Sequence, residues 1–385
     1  MAAVVSTADD AGGDAGMATS GDILLDNKCE LLSLAPEGCR KVLVLGMGGG
    51  CDVVVACALA EMMCDTGVLA EGAEIHFGNC VSPREMEGHP KVSAHIYGVP
   101  QHDRTLEAGT NTYGTTLTEQ SLPAGPFVCR RDGAAGAEVD GDAGSGGGGG
   151  DGLVSPILCI VPSKSGSVEE VTRANSEALV PELQALGFDW VLGVDAGGDS
   201  LTGGIDFIEG GSPETGRDRQ MLHVLTSLQG VHFTHAVIGP CCDGESEQHE
   251  MVSALEDAAA QNQFKGSFSL DPFLPYLRKL VVGQGPTRTP VIMIRAFEGD
   301  LEAAPAEAGA EAGSTGADSD KVVIPRNRKC VISRSWIMVG AALEYPEGKA
   351  LHITRQIGSA NGEISEGFVP DTGTYVPKEE RSTGS

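Results

Sequence analysis

The chain has 385 residues, enough for one large domain or two ordinary ones, and enough to bury a sizeable core without disulfide support. It carries 26 Lys and Arg against 54 Asp and Glu, a formal charge of -28, which disfavours a nucleic-acid partner, since that needs a basic face; none is expected. Much of the acid lies in tails and inserts, where it favours solubility.

The eleven cysteines form no paired CxxC framework. Cys51, Cys57 and Cys64 fall on one stripe of a single helix, and Cys159 lies in an apolar strand. Buried thiols in a reducing cytosol account for this better than disulfides do. Residues 1–22 are rich in Ala, Gly, Asp and Ser, contain no Lys or Arg, and show no sustained apolar run. They are expected to be a disordered tail, and neither a secretory signal nor a transit peptide. No stretch reaches membrane-spanning length. The expectation is a cytoplasmic protein with no membrane partner.

In chain order, Leu24–Ala35 has helical spacing. Val42–Leu45 is an apolar strand, and Asp52 to about Asp65 is the helix that follows it. Glu74–Phe77 is the next strand, closed by Gly78-Asn79. Cys80–Thr118 is irregular, with several Pro and His, and suits a lid or small lobe. Residues 133–152 and 302–320 are low-complexity Gly- and acid-rich insertions, whose ordering entropy their composition cannot repay.

Pro156–Val161 resumes as a buried strand, and Val168–Leu186 is a helix stopped by Gly187. Strands at Asp189–Val194 and Val231–Ile238 alternate with helices at Pro213–Leu228 and Glu247–Gln263. Asp271–Val282 reads as a helix and Pro290–Arg295 as a strand or extended piece. Trp336–Leu343 and Ala350–Thr354 close the fold, and 369–385 is a tail. The alternation predicts right-handed crossovers: a Rossmann-like, doubly wound α/β domain spanning 23–368, mainly parallel, with helices on both faces.

In such a sheet the loops after the strands meet at the carboxyl edge. Three loops here share a pattern of Gly and acid: GMGGGCD (46–52), DAGGDSL (195–201) and GPCCDGE (239–245). Gly48, Gly49 and Gly50 would turn backbone N–H groups toward an anion at a helix N-terminus. Asp52 opens that helix as a cap, or faces a cation or a sugar hydroxyl. Asp195 and Asp199 flank Gly197 and Gly198. Their uses are a divalent ion such as Mg²⁺, a cationic substrate group, or acid–base work, unless one merely caps the turn. Asp243, Gly244 and Glu245 close the third loop.

Cys241 and Cys242 read as small buried residues, although a Cys/Asp/His zinc site with His249 can be drawn. His76, His223, His232 and His235 each have an ordinary structural reading. The dinucleotide fingerprint is broken, because Cys51 stands where its third Gly or Ala belongs and Asn79 where a ribose-binding acid belongs.

The motifs GMGGGCDVV, VLGVDAGGDSL, GSPETGRDRQML and IGPCCDGES, in this order, resemble an uncharacterised family, the domain of unknown function numbered 1152. The resemblance runs from about Lys41 to Leu280. It implies a Rossmann-like fold and places the family's acids on Asp52, Asp195, Asp199, Asp243 and Glu245. It implies no reaction.

The expected function is an enzyme that binds a small polar metabolite, nucleotide-like or phosphorylated, at the carboxyl edge. Asp195, Asp199 and Asp243 are the candidate catalytic groups. Gly48, Gly49, Gly50, Asp52, Gly197, Gly198, Gly244 and Glu245 are the candidate ligand contacts. A non-catalytic sensor or scaffold using the same pocket and an NAD(P)-dependent oxidoreductase are the alternatives, and homo-oligomers are compatible with all three.

Overall fold

The computed structural model describes residues 22–48, 51–83, 85–99, 122–123, 125–130, 155–162, 168–202, 217–305 and 320–345. Gly49, Gly50, the 133–152 insertion, the expected lid beyond residue 99, Pro213 and everything after Tyr345 lie outside the described residues.

The chain begins with a short helix α1 (Asp22–Asp26) and a 3₁₀ turn at Leu31–Leu34. Helical spacing over Leu24–Ala35 therefore does not give one helix. The intervening residues pair with a later strand instead, through Cys29 N–H to Ser267 O at 2.7 Å and Ser267 N–H to Asn27 O at 2.6 Å. Tertiary pairing overrides a weak local preference.

Then come β1 (Lys41–Gly46), α2 (Asp52–Asp65), β2 (Glu74–Val81), β3 (Ile96–Gly98), β4 (Phe127–Val128) and β5 (Ile157–Ile160). They are followed by α3 (Val168–Ala185), β6 (Trp190–Ala196), α4 (Asp199–Thr202), α5 (Arg217–Thr226), β7 (His232–Ile238) and α6 (Gln248–Ala260). The last elements are β8 (Phe264–Ser269), α7 (Leu274–Val281), α8 (Thr289–Glu298), a hairpin β9 (Lys321–Ile324) and β10 (Asn327–Ser333), α9 (Arg334–Ile337) and β11 (Val339–Glu344).

The main sheet has the order β3-β5-β2-β1-β6-β7-β11-β8, with β4 on the side of β2. The run β5-β2-β1-β6-β7 is parallel throughout. β3, β4 and β11 pair antiparallel with their neighbours. This is the expected α/β architecture, with a mainly parallel sheet between helices. The chain moves outward from β1 through β2 and β5, then restarts on the other side of β1 with β6 and β7. The order reverses between β1 and β6, the switch point at whose carboxyl ends open α/β sheets place their ligands.

The strands of this centre are buried on both faces. Val42, Leu43, Val44 and Leu45 are fully buried, as are Trp190, Leu192 and Val194. Such strands read as continuous apolar runs, which is why periodicity locates them in the sequence.

Pro290–Arg295 is not extended but forms the body of α8. Its Pro stands at the start of the helix, Gly299 stops it, and Val291, Ile292, Met293 and Ile294 are all buried. A short apolar run enclosed on every side carries no period that tells helix from strand. The insertion expected at 302–320 is also partly ordered, since Val323 N–H donates to Glu302 O at 2.9 Å and Ala304 N–H to Lys321 O at 3.0 Å. All eleven cysteines are free thiols, and all but Cys29 are buried.

Candidate carboxylate site at the switch point

The three Gly/acid loops converge at the carboxyl edge. Asp52, the first residue of α2, ties β1 to β6: its Oδ2 accepts from Gly48 N–H at 2.9 Å and its Oδ1 from Ala196 N–H at 3.3 Å. The third loop docks on the second through Cys241 N–H to Gly197 O at 2.6 Å and Gly197 N–H to Ile238 O at 3.1 Å.

Asp195 stands one residue before the end of β6 and is enclosed. Its Oδ1 accepts from Gly198 N–H at 3.0 Å, and its Oδ2 from Ser200 N–H at 3.0 Å and from the Ser200 hydroxyl. It therefore caps the Gly197-Gly198 turn, the role of an Asx residue, and it also faces other carboxylates. Asp199 opens α4 one turn on. Asp243 Oδ1 accepts from Glu245 N–H at 3.0 Å, and Glu245 pairs with Arg326 at 3.1 Å.

The structure adds a member that the sequence reading left out. Asp218, on the first turn of α5, brings one carboxylate oxygen within 4.8 Å of one each from Asp52 and Asp195, and the three oxygens are mutually that close. It also shares a hydrogen bond with Asp199. Asp199, expected to share an ion with Asp195, is not in this three-oxygen group, which Asp52, Asp195 and Asp218 form among the described residues. Two arginines stand at the rim. Arg219 donates to Leu201 O at 3.2 Å, and Arg326 enters from the β9–β10 turn.

The Gly48 amide already has an acceptor within the protein. Its N–H is taken by Asp52, and a Cβ at Gly48 would lie 1.9 Å from Asp218 Oδ1. The position is glycine because a carboxylate occupies the space. The acid in the first turn of α5 stands in GSPETGRDRQML, but only the switch-point topology tells which loop it faces. Arg326 had no sequence signal.

The electrostatics follow from burial and crowding. Burial, then Asp218 and Asp195, push the Asp52 carboxyl well above the usual range. Burial, then Asp218, Asp195 and Glu245, do the same to Asp199. Burial raises Asp195 as well, against the Ser200 and Gly198 donors. Arg326 is held above its ordinary value, because Glu245, Asp243, Cys51 and Asp199 outweigh the cost of burying it.

Burial pushes Asp243 up to about 6 from 3.8. A carboxyl raised in the fold contributes stability that is full below its unfolded value and is lost as pH rises through the folded one. The expected result is that wild type loses stability relative to Asp243→Asn between about pH 4 and pH 6. Paired urea titrations check this, and a difference independent of pH would refute it.

Cys241 and Cys242 are fully buried, with burial first and Asp243 second raising both thiols. They pack beneath the loop. His249 lies exposed on the surface, paired with Glu247 at 3.0 Å, so it does not join a zinc set with them.

Residues 147–312 match the family model described as Protein of unknown function (DUF1152). The resemblance read from the sequence is shown over that stretch. No curated protein and no solved structure matches the chain. The DUF1152 match contains Asp195, Asp199, Asp218, Asp243 and Glu245, and leaves Gly48, Asp52 and Arg326 on either side of it.

Proposed function

We propose that the chain is an enzyme acting on a small polar metabolite, nucleotide-like or phosphorylated, bound at the crevice between β1 and β6. A divalent ion such as Mg²⁺, held by Asp52, Asp195 and Asp218, would carry the metabolite's phosphate or hydroxyl oxygens. Asp199 would exchange a proton with the substrate, and Asp243 and Glu245 would form the far wall.

The observation that carries this reading is the meeting of three carboxylates within 4.8 Å at the switch point, those of Asp52 and Asp195 buried and that of Asp218 half-buried. Uncompensated, such a cluster costs desolvation and repulsion, and a hard cation offsets both. Mg²⁺ commonly takes one or two carboxylates and completes its shell with water and substrate phosphate. The anionic metabolite then needs no free glycine amide, which agrees with Asp52 occupying that of Gly48.

Thermal unfolding of the purified chain with Mg²⁺ or Mn²⁺, alone and with nucleotides or sugar phosphates, tests this. Ion at about a hundred times its dissociation constant should stabilise by roughly 2.7 kcal/mol. Asp218→Asn should lose that shift. Ion-dependent binding followed by turnover distinguishes an enzyme from a sensor using the same pocket. An unshifted midpoint in every mixture would remove the reading.

A further inference from the structure

A line of polar side chains runs from Asp195 through the core to the half-buried Tyr345. The Ser200 hydroxyl sits against Asp195 Oδ2, and its oxygen lies 3.1 Å from Nε2 of His235. Nδ1 of His235 lies 2.9 Å from the Tyr345 hydroxyl, which follows β11. Tyr345 is braced by stacking on Phe233, with ring centroids 5.9 Å apart. Ser200 and His235 are fully enclosed.

The direction of this chain follows from its fixed end. Two backbone N–H groups, of Gly198 and Ser200, donate to Asp195 and cannot reverse, and the ionised carboxylate, the form that holds an ion, has no proton to donate. The Ser200 O–H donates to it as well. The Ser200 oxygen then accepts from Nε2–H of His235. The imidazole is fully enclosed, where the neutral form with one N–H to give is the one favoured. Its Nδ1 is left as an acceptor, and the Tyr345 O–H donates there. Every donor points toward Asp195.

We propose that Tyr345, His235 and Ser200 position the Asp195 carboxylate for its ligand, which makes His235 a positioning residue of the switch-point site. This rests on the function proposed above. Its motive is that polar groups set in and against an apolar core, Ser200 and His235 enclosed and Tyr345 half-buried, contribute little stability that well-packed apolar groups would not. They do fix one carboxylate in one orientation, as the groups behind metal-binding side chains do.

Mn²⁺ affinity, read from the paramagnetic resonance of the free ion, is the test. His235→Leu and Ser200→Ala should each weaken binding about 10–100-fold, the usual cost of losing such a partner. His235→Gln keeps an N–H donor for Ser200 and should recover most of the loss. Equal binding by the Leu and Gln variants, both folded by circular dichroism, would overturn the proposal, and so would wild-type affinity in His235→Leu.

The ring nitrogens of His235, followed by ¹⁵N resonance, report on the chain without any ion. Nε2 should be protonated, and Tyr345→Phe should move the Nδ1 resonance alone. A proton on Nδ1, or no response to Tyr345→Phe, would refute the chain. Failure of wild type to bind Mn²⁺ while the nitrogen pattern holds would sink the ion reading of the site, and with it the positioning role, but not the chain.

Discussion

Gly48→Ala is expected to abolish divalent-ion binding and leave the fold standing. The new methyl would need the space that Asp218 Oδ1 occupies, 1.9 Å from the ideal Cβ, with the rest of that carboxylate at 2.3 Å. Gly48 does not have the left-handed φ that would strain an alanine. The side chain of Asp218 is only half-buried, so it can swing outward from α5. Doing so removes one carboxylate from a like-charged group, which relieves repulsion in the ion-free protein.

The stability cost without ion should therefore stay below about 1 kcal/mol, as for ordinary surface changes. The ion-dependent term should collapse. If affinity falls about 100-fold, an ion concentration that gave wild type roughly 2.7 kcal/mol gives the variant only about 0.4 kcal/mol. Thermal midpoints of both proteins with and without Mn²⁺ measure this. A full ion shift in Gly48→Ala would mean that Asp218 is not a ligand. A large loss of stability without ion would mean that the glycine serves the fold instead.

This substitution also marks how much the sequence reveals. The strands β1, β6 and β7 are legible because strands buried on both faces must be apolar, and each ends in Gly and acid where the chain turns. Convergence of Asp52, Asp195, Asp199 and Asp243 follows from parallel order alone. The use of Gly48 does not follow, because a glycine that offers an amide and a glycine that leaves room look the same. Asp218 and Arg326 depend on where α5 begins and where the β9–β10 hairpin lands, which are matters of tertiary packing. His235 falls in an apolar strand whose neighbours Ser200 and Tyr345 are 35 and 110 residues away in the chain. The position of β11 between β7 and β8 is equally non-local.

Gly197→Ala should behave in the opposite way and cost both stability and binding. Its φ of +117° lies where an L side chain is strained. A Cβ there would also stand 2.1 Å from Asp243 Oδ2 and 2.2 Å from Cγ. Neither partner can retreat easily. The Gly197 backbone is held to the third loop on both sides, at 3.1 Å to Ile238 O and 2.6 Å from Cys241 N. Asp243 is held by Glu245 N–H at 3.0 Å, and Cys241 between them already has a left-handed φ of 64°.

Backbone strain of about 1–3 kcal/mol and overpacking of about 1–3 kcal/mol together give an expected loss of roughly 2–6 kcal/mol in urea unfolding. The two causes separate in a double-mutant cycle. Removing the obstructing carboxylate with Asp243→Gly should restore the overpacking share in the double variant and leave the φ share, so the two changes should not add. Additive losses would show that the approach of Asp243 to Gly197 is not what the glycine serves. A loss below about 1 kcal/mol in Gly197→Ala alone would remove the close contact between the second and third loops, and with it the reason for placing Asp243 on the wall of the site.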